Sequence, residues 1–415
     1  MNTYGERVKV TIFGESHGPA IGVVLDGVPA GEAIDMDAVR IQMRRRAPGS
    51  SDLTTHRSET DDPLVMSGIL NGVTTGAPIS AIFRNKDQNS AAYHPEIPRP
   101  SHADYAATVR FGGHADLRGG GPFSGRLTAC LVFAGAVCRQ ILERRGITIT
   151  ANAVRVGQAT GKELNFDMKR AILDARSAGD SVGSELECVV TGVPAGVGGL
   201  LFGGMESRIA GMLYAIPGVK GVEFGRGFAL AEMRGSEAND PIRLKNGRIT
   251  MASNNAGGIN GGITNGMPVE FTVTFRPTPS IAQPQETIDL ETMTNTKITI
   301  GGRHDACIAL RAPVVVESAA ALALWRLKGA DGGGELDNLR GQLDILDTEL
   351  TTLFARRQSI SRRIGAYKRE HHLPVQDTGR EEQVLHTRGQ LAPERRQQVE
   401  RLFRLLMELS REEQA

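Results

Sequence analysis

The sequence is poor in cysteine, in unbalanced charge and in long apolar runs, and each shortage excludes a class of protein. Its four cysteines form no CxxC pair and no metal-binding spacing, so we expect reduced thiols and no metal site. A net charge of +1 over 415 residues gives no overall attraction to nucleic acid or to an anionic membrane. No apolar run approaches the length that spans a bilayer, and the N-terminus lacks a basic-then-apolar signal. We therefore expect a cytoplasmic enzyme or binding protein without nucleic-acid or membrane partners.

Glycine is scarce in the last part of the chain. Of the 50 glycines, only four lie after Gly334. The 81 residues from Glu335 onward are rich in Leu, Glu, Arg and Gln and follow a helical spacing. The segment before them, KGADGGG, has the composition of a polar linker. We therefore predict a front domain over residues 1–327, a linker over 328–334 and a helical domain over 335–415.

The front domain alternates strand-like with helix-like runs, and one of its segments occurs twice. VVLDGVPAG at 23–31 returns as VVTGVPAG at 189–196, and a methionine-containing, helix-compatible stretch follows each copy. A segment repeated once at long spacing is typical of two related halves rather than of a solenoid. We predict an α+β sandwich of two pseudo-repeated halves, with helices over 35–46 and 125–145.

A glycine-rich stretch, RGGGPFSGR at 118–126, precedes a long helical run. Ser124 is a natural N-cap for that helix, and Gly146 is a natural stop. A glycine loop that leads into a helix N-terminus offers N–H groups to a phosphate, and Arg118 and Arg126 flank this loop. The pattern also fits an ordinary capped core helix with a flexible entry, so both interpretations stay open at this point.

Three further stretches combine charged side chains with a constrained backbone. His17 lies between glycines in TIFGESHG, where a strand ends; it is either a turn residue or a proton donor near neutral pH. RRRAPG at 44–49 ends a helix that Asp35 caps, and its arginines either complement the helix dipole or bind an anion. RPTPS at 276–280 is rigid and extended, and GGRHDACIALRAP at 301–313 places a cation, a base and an acid side by side.

In this order, the motifs of residues 1–327 resemble the chorismate synthase family: FGESHG, RRRAPG, RP-x-HADY, RGGG-xx-S-x-R, GDSVG, GVPAG, VKGVEFGRGF, RPTPS and GRHDAC. The resemblance implies an FMNH2-dependent 1,4-elimination of phosphate from 5-enolpyruvylshikimate 3-phosphate, which yields chorismate. Reduced FMN lends an electron and takes it back, so the reaction is redox-neutral. NADPH used by the chain itself and an external flavin reductase are both open as the source of electrons. Two carboxylates and a phosphate on the substrate call for arginines, and the proton transfers call for histidines.

The same resemblance assigns roles to residues of the front domain. His17 keeps the charge of the flavin balanced, His102 assists the departure of phosphate, and Asp305 helps the flavin nitrogen to receive the substrate proton. Ser16 and Ser124 orient these groups. The substrate is expected to be bound by Arg46, Arg57 and Arg126. The flavin is expected to be lined by Phe123, Ser124, Gly261, Arg276, Thr278, Ser280 and Arg303.

The chain departs from the family beside the glycine-rich loop. Pro122 and Leu127 stand where an arginine and a glutamate are common, so one cation and one carboxylate are missing. We therefore expect altered phosphate contacts there and unchanged roles for Ser124 and Arg126. Asp52 also stands where an arginine is frequent.

The helical domain carries a cation within an apolar seam. Leucines recur at spacings of three and four from Leu336 to Leu353, which predicts one helix of about 54 Å and coiled-coil-like pairing. Arg357 occupies the next seam position, where a guanidinium is unfavourable without an anionic partner. Lys368 lies near the same face, whereas Arg340 is turned away from it. This arrangement is the one that a dimer with shared sites would use.

Residues 335–415 resemble the all-helical class of chorismate mutase, through R340…D347…R357…K368…PVxD377xxRE…S410xxxQ414. The family rearranges chorismate to prephenate and needs only a cationic cage around a folded dicarboxylate. The resemblance implies that Lys368 and Gln414 contact the breaking ether oxygen and that Glu381 binds the hydroxyl. Carboxylates are expected at Arg357 and Arg380, with Arg340 supplied by a partner chain. The substrate site is completed by Asp377 and Ser410.

The product of the front reaction is the substrate of the back one, so the two resemblances support each other. The synthase family forms tetramers and the mutase class intertwined dimers, so we expect a homo-oligomer, a homotetramer above all. One alternative makes the tail a regulatory or oligomerisation module without catalysis. Another makes the front domain a flavin reductase or flavin-binding module without lyase chemistry. An assembly helix would tolerate leucine at Arg357, which separates the first alternative from a mutase.

Overall fold

The structure is a computed structural model that describes residues 2–5, 8–49, 53, 61–86, 93–245, 247–301, 304–325 and 335–414. The chain divides into two compact units, Met1–Gly332 and Gly333–Ala415. The predicted linker, 328–334, lies outside the described residues, and the predicted domain limits stay a prediction.

The first half of the N-terminal unit is built on a five-stranded antiparallel sheet with the order β1-β2-β3-β7-β4. Alternating burial along β7 shows one face of the sheet turned to the core. The elements of this half are β1 (Thr3–Tyr4), β2 (Lys9–Gly14), β3 (Ala20–Asp26), α1 (Met36–Arg46), β4 (Leu64–Ser67), β5 (Ile69–Leu70), β6 (Val73–Thr74), β7 (Ile79–Arg84) and α2 (Asp104–Phe111).

The second half carries its own five-stranded antiparallel sheet, with the order β11-β16-β10-β8-β9. Its strands and the hairpins beside them are β8 (Thr148–Val156), β9 (Ala159–Thr160), β10 (Ser184–Thr191), β11 (Val219–Phe224), β12 (Ile242–Lys245), β13 (Arg248–Met251), β14 (Ile259–Asn260), β15 (Ile263–Thr264), β16 (Val269–Phe275), β17 (Gln285–Asp289) and β18 (Thr294–Ile298). The helices of this part of the chain are α3 (Thr128–Arg144), α4 (Phe166–Ser177), α5 (Met205–Leu213), α6 (Gly235–Ala238) and α7 (Ala312–Leu324).

The two halves repeat each other down to single hydrogen bonds. The Thr74 hydroxyl donates to the Pro29 carbonyl, and the Thr264 hydroxyl donates to the Pro194 carbonyl, both at 2.6 Å. The two prolines belong to the two GVPAG copies, and the two threonines end the matching hairpins β5–β6 and β14–β15. The predicted α+β sandwich of two pseudo-repeated halves is therefore confirmed.

A layer of helices separates the two sheets. α3 contacts strands β3, β7 and β8, while α7 contacts β8 and β10. The two helices touch through Gly135, where a Cβ atom would lie 2.3 Å from the Ser318 Cβ, so only glycine fits. The stretch 118–144 is apolar and long enough to cross a membrane, contrary to our expectation, but most of it is buried inside this unit.

The predicted helix over 35–46 is confirmed, and Asp35 caps it as expected. Its carboxylate accepts hydrogen bonds from the N–H groups of Asp37 at 2.8 Å and Ala38 at 3.2 Å. The last turn then delivers Arg44, Arg45 and Arg46, of which Arg46 is buried.

The start of the second predicted helix needs a correction. Ser124 does not cap the long helix; it caps a one-turn 3-10 helix, Gly125–Leu127, by accepting from the Arg126 N–H at 3.3 Å. The chain forms this 3-10 turn before α3 begins, and an N-cap hydroxyl accepts from the N–H two or three residues on, which here belongs to Arg126. α3 itself begins at Thr128, and Gly146 follows its end with a positive φ of 80°, as predicted for a stop.

The C-terminal unit consists of three helices, α8 (Glu335–Glu370), α9 (Thr378–Gln390) and α10 (Arg396–Gln414). The long helix predicted from the leucine spacing is confirmed as α8, which has 36 residues. Its seam side chains Leu343, Leu350 and Leu353 are 56–61% exposed in the single chain. α9 and α10 therefore leave this face of α8 open.

Candidate active sites

A cavity of about 720 Å³ in the N-terminal unit collects residues from both halves. It lies where α1 ends, the glycine-rich loop turns and α7 begins. The predicted site residues that line it are Arg46, His102, Phe123, Ser124, Arg126, Arg276, Thr278, Ser280 and Asp305. Side chains separated by more than 250 positions in the sequence thus face one space with several cationic groups.

Two predicted site residues lie one layer behind this wall. His17 is buried, and its ring meets Tyr93 edge-on with the ring centroids 5.3 Å apart. A Cβ atom on Gly119 would lie 2.5 Å from the His17 Nε2, so the glycine-rich loop lies directly against the imidazole. Ser16 accepts a hydrogen bond from the Ser124 hydroxyl at 3.1 Å and reaches the wall through it.

Other predicted residues are placed elsewhere. Gly261 does not line the cavity and has a positive φ of 61° in the turn of β14–β15, where a hairpin needs glycine. Arg118, expected to favour an anion, does not line it either, because the nearby Asp116 carboxylate binds its guanidinium at 2.6 Å. Arg57 and Arg303, like Asp52, lie outside the described residues.

The glycine-rich loop is shaped by three consecutive left-handed residues, Gly119, Gly120 and Gly121, with φ values of 63°, 87° and 50°. Side chains would be strained at all three. The Gly121 carbonyl accepts from the Ser16 N–H at 3.2 Å, which ties the loop to the β2–β3 turn. The loop therefore brings the turn of His17 and the wall of Ser124 together.

His102 is held by hydrogen bonding and by a neighbouring ion pair. Its Nε2 lies 2.8 Å from the Ser280 hydroxyl. Burial, and next the charge of Arg99, lower the pKa of His102 to about 4, although Asp104 opposes them. The imidazole is therefore neutral at neutral pH in the ligand-free site.

Three residues around His102 and His17 escaped the sequence analysis. Arg99 binds the Asp104 carboxylate through two nitrogens at 2.7 and 2.8 Å, and both side chains are buried. The Arg99 guanidinium also lies 5.0 Å from the centre of the Tyr93 ring. Arg99 and Asp104 stand inside the quoted motif RP-x-HADY, so their spacing around His102 was an available signal.

Asp305 and Arg46 are linked by a residue that the sequence analysis also missed. Arg311 donates to the Asp305 carboxylate from Nη1 and to the Arg46 carbonyl from Nε, both at 2.7 Å. Arg46 and Arg126 in turn both contact the buried carboxylate of Asp61. Asp61 had no local signal, because one of two adjacent aspartates before a proline is typical of an ordinary turn.

The cavity fits a flavin on two observations. The Thr278 hydroxyl oxygen is buried and meets no hydrogen-bond partner among the residues that the structure describes. It therefore offers a polar contact to a ligand. The volume also falls within the range of small-molecule and cofactor sites. As to metals, the described residues contain no group of three or more His, Cys, Asp or Glu side chains placed to hold an ion.

The helical unit has a second cationic site between α8 and α10. Arg357 donates to the Leu406 carbonyl at 2.7 Å and to the Ser410 hydroxyl. Its described partners are thus neutral, where the sequence led us to require an anion. Partial burial lowers the pKa of Arg357. The Gln414 amide oxygen is buried and meets no hydrogen-bond partner among the described residues of this unit.

The other predicted residues of this unit are held by local bonds. Lys368 donates to the Val375 carbonyl at 2.7 Å, and Glu381 binds the Arg411 guanidinium at 2.6 Å. Asp377 acts as the N-cap of α9, because its carboxylate accepts from the Arg380 N–H at 3.0 Å. Arg340 lies on α8, but its side chain lies outside the described part.

Two units are now defined: an α+β unit with a cation-lined cavity between repeated halves, and a helical unit with its own cationic site. They are of the class of enzyme domains that act on anionic small molecules. The family model of chorismate synthase matches residues 8–328, and that of chorismate mutase type II matches residues 339–415. The chain belongs to the chorismate synthase family and carries a chorismate mutase type II domain behind it.

Named relatives agree with this assignment. The chain is 45% identical over 345 residues to a chorismate synthase of Korarchaeum cryptofilum, covering 77% of this chain and 95% of that protein. It is 45% identical over 341 residues to a chorismate synthase of Thermococcus gammatolerans, with the same coverage. A crystal structure of chorismate synthase matches with a TM-score of 0.59 at 26% identity, over 79% of this chain and 91% of that one. The predicted family, fold class and enzyme type, a lyase followed by an isomerase of aromatic biosynthesis, are confirmed.

Proposed function

We propose that the N-terminal unit eliminates phosphate from 5-enolpyruvylshikimate 3-phosphate with reduced FMN, and that the helical unit rearranges the resulting chorismate to prephenate. The observation that carries the first part is the cavity in which Arg46, Arg126 and Arg276 share one wall with His102. Guanidinium groups bind carboxylates and phosphates through paired N–H donors. A substrate with three anionic groups matches such a wall.

His102 is suited to manage the proton of the leaving phosphate. Its pKa of about 4 describes the ligand-free site, where burial and Arg99 oppose the charged form. A bound phosphate dianion favours imidazolium and raises that pKa. The Ser280 hydroxyl at 2.8 Å from Nε2 fixes the orientation of the ring. His102 then donates its proton as the phosphate leaves.

Residues on two loops are suited to hold the flavin. Phe123 and Ser124 come from the glycine-rich loop, and Arg276 and Thr278 come from the extended segment after β16. Reduced FMN, when bound, supplies an electron to the substrate and recovers it. Asp305, whose carboxylate accepts from Arg311 Nη1 at 2.7 Å, would assist the transfer of the proton that the substrate loses. His17 balances charge from behind Gly119.

The helical unit is suited to a pericyclic rearrangement, which needs no nucleophile. Arg357 and Arg380 would bind the two carboxylates, and Glu381 would bind the hydroxyl. Lys368 and Gln414 would donate hydrogen bonds to the ether oxygen, where negative charge develops in the transition state. The Gln414 NH2 group would face the ether oxygen, and the buried amide oxygen, which meets no partner among the described residues, would accept from a donor on the substrate or on a second chain.

The proposed function also includes an oligomeric state and a source of electrons for the flavin. The exposed leucines of α8 favour pairing with a second copy, and Arg340 of the partner subunit would complete each mutase site. We propose a cytoplasmic homotetramer whose flavin is reduced by NADPH in its own site or by an external flavin reductase. The exposed seam also supports a second candidate role for the tail, an oligomerisation module without catalysis.

One anaerobic time course tests both activities. Purified protein receives chemically reduced FMN and 5-enolpyruvylshikimate 3-phosphate, and the products are resolved over time. Prephenate that accumulates supports both proposed reactions. Chorismate that accumulates and persists leaves the front reaction in place and reduces the tail to a module for assembly or regulation. No turnover under these conditions refutes the proposed elimination.

A further inference from the structure

Asp61 lies behind the cavity wall, between two arginines proposed to bind the substrate. One carboxylate oxygen contacts the Arg46 Nη1 and the other contacts the Arg126 Nη1. The Asp61 side chain is 0% exposed. Arg46 and Arg126 line the large cavity, whereas Asp61 does not; it lines a smaller cavity of about 130 Å³ on the other side of Arg126. The Asp61 carboxylate therefore contacts both guanidinium groups from the side that faces away from the large cavity.

The rest of the structure fixes the same two side chains in the same orientation. The Arg46 Nε donates to the Thr128 hydroxyl at 3.2 Å, and its Nη2 donates to the Gly125 carbonyl at 3.3 Å. The Arg126 Nε donates to the Asn85 amide oxygen at 3.1 Å. Each guanidinium thus donates to uncharged acceptors from Nε, and in Arg46 also from Nη2, while its Nη1 contacts the shared Asp61 carboxylate.

The backbone of Asp61 adds an independent sign of constraint. Its φ is 51°, in the left-handed region that residues other than glycine adopt rarely and at an energetic cost. Burial opposes the charged form of Asp61, but the nearby charges of Arg46 and Arg126 outweigh it and lower the pKa of the carboxyl. Asp61 therefore remains an anion at neutral pH, in a conformation that the fold maintains.

We infer that Asp61 is a positioning residue for substrate binding, which orients Arg46 and Arg126 at the cavity wall while leaving one net positive charge for the substrate. The inference rests on the proposed function, because it takes these arginines as the substrate ligands. The opposing hypothesis is that Asp61 competes with the substrate for the arginines. The two hypotheses predict opposite effects when the negative charge of Asp61 is removed.

Asp61→Asn is the informative change, because it keeps the shape and removes the charge. The asparagine offers one acceptor oxygen where the aspartate offers two, and its NH2 group would face an Nη1 donor. One guanidinium would therefore lose its anchor. If Asp61 positions the arginines, the substrate binds more weakly although the site has become more positive. If Asp61 competes with the substrate, binding becomes tighter.

The test measures the affinity of the full-length protein for 5-enolpyruvylshikimate 3-phosphate by calorimetry, without flavin, and the affinity for oxidised FMN separately. We expect Asp61→Asn to weaken substrate binding roughly 10- to 100-fold, as the loss of a charged hydrogen bond implies, with FMN affinity unchanged. The matched control is Asp62→Asn, which removes the same charge from an exposed neighbour lining the same small cavity. It should bind the substrate as the wild type does.

Each result has a definite meaning. Equal or tighter substrate binding by Asp61→Asn overturns the inference, provided that Arg126→Ala loses binding and so supports the proposed site. A wild-type protein that does not bind the substrate overturns the proposed function and the inference with it. If Asp61→Asn does not fold, Asp61→Glu decides, since it keeps the charge and displaces it: weaker substrate binding with normal FMN affinity supports positioning, and unchanged binding refutes it.

Discussion

The buried carboxylate of Glu317 joins three parts of the N-terminal unit, and its loss should lower the free energy of unfolding of that unit. Its side chain is 4% exposed on α7. One oxygen accepts from Arg45 Nη1 and Arg139 Nη1, both at 2.6 Å. The other accepts from Arg45 Nη2 at 2.9 Å and the Ala151 N–H at 3.1 Å. Glu317→Gln places an NH2 donor where two N–H donors already point, whichever way the amide turns.

The expected loss follows from the burial of the partners. Breaking a buried ion pair by removing one charge costs about 3–5 kcal/mol. Arg45 and Arg139 are 38% and 19% exposed, so water retains part of their solvation. We therefore expect Glu317→Gln to lower the free energy of unfolding by about 2–4 kcal/mol. Arg45 precedes Arg46 in the last turn of α1, so a shifted α1 should also raise KM.

The chain offers a selective probe for this measurement. Its single tryptophan, Trp325, is buried at the end of α7, so its fluorescence reports unfolding of the N-terminal unit alone. The matched control is Glu143→Gln, which removes a carboxylate that is 41% exposed and bound to the same Arg139 at 2.8 Å. The control should lose no more than about 1 kcal/mol in urea unfolding. A Glu317→Gln variant as stable as the control would refute the assigned role of the buried network.

Three further predictions concern the two sites. Arg311→Lys should reduce chorismate formation roughly tenfold or more in kcat, since the single nitrogen of lysine does not reproduce the separate Nε and Nη1 donors that hold the Arg46 carbonyl and the Asp305 carboxylate; unchanged kcat would contradict this. Substrate binding near pH 6 should take up a proton, because the His102 pKa rises from about 4 on binding phosphate; calorimetry in buffers of different ionisation enthalpy that finds no uptake would exclude this. Arg357→Leu should abolish mutase turnover and spare the elimination, and retained prephenate formation would refute the role of Arg357.

The pKa of His102 also sets the sign of a pH effect on stability. The folded state holds the imidazole neutral down to about pH 4, whereas an unfolded histidine binds a proton below about pH 6.5. The unfolded chain therefore binds more protons between these two values, and His102 lowers stability as the pH falls through that window. Substrate that supplies a phosphate dianion should relieve this loss, since it favours the charged ring.

The sequence predicted those elements whose cause is local. Asp35 caps α1 because a carboxylate two residues before an N–H can reach it, and the leucine spacing of α8 follows from helical geometry. The two related halves were predicted from the repeated GVPAG segment alone. A second segment, G-I-x-x-G-x-T-x-G-x-P, is also repeated, at 68–78 and at 258–268. Its threonines, Thr74 and Thr264, are the ones that bind the repeated prolines.

The residues that sequence reasoning missed have partners that are distant in the sequence. Glu317 binds Arg45 across 272 positions of the sequence, and Arg311 binds the Arg46 carbonyl across 265. No window of the sequence holds both partners, and each residue alone resembles an ordinary charged surface position. Only the packing of α1 against α7 brings them together. The residues proposed to bind the substrate could therefore be predicted from motifs. The residues that hold them in position could be identified only from the tertiary structure.

The position of Arg46 depends on residues from several parts of the N-terminal unit. Arg46 is held through its side chain by Asp61, through its carbonyl by Arg311, and through its neighbour Arg45 by Glu317. The three anchors come from different parts of the unit, so the position of one guanidinium depends on the whole domain. A site that must grip a trianionic substrate gains from such fixing, because the arginines need not reorganise when the substrate binds. Loss of any one anchor should therefore weaken substrate binding, although neither Asp61 nor Glu317 lines the cavity.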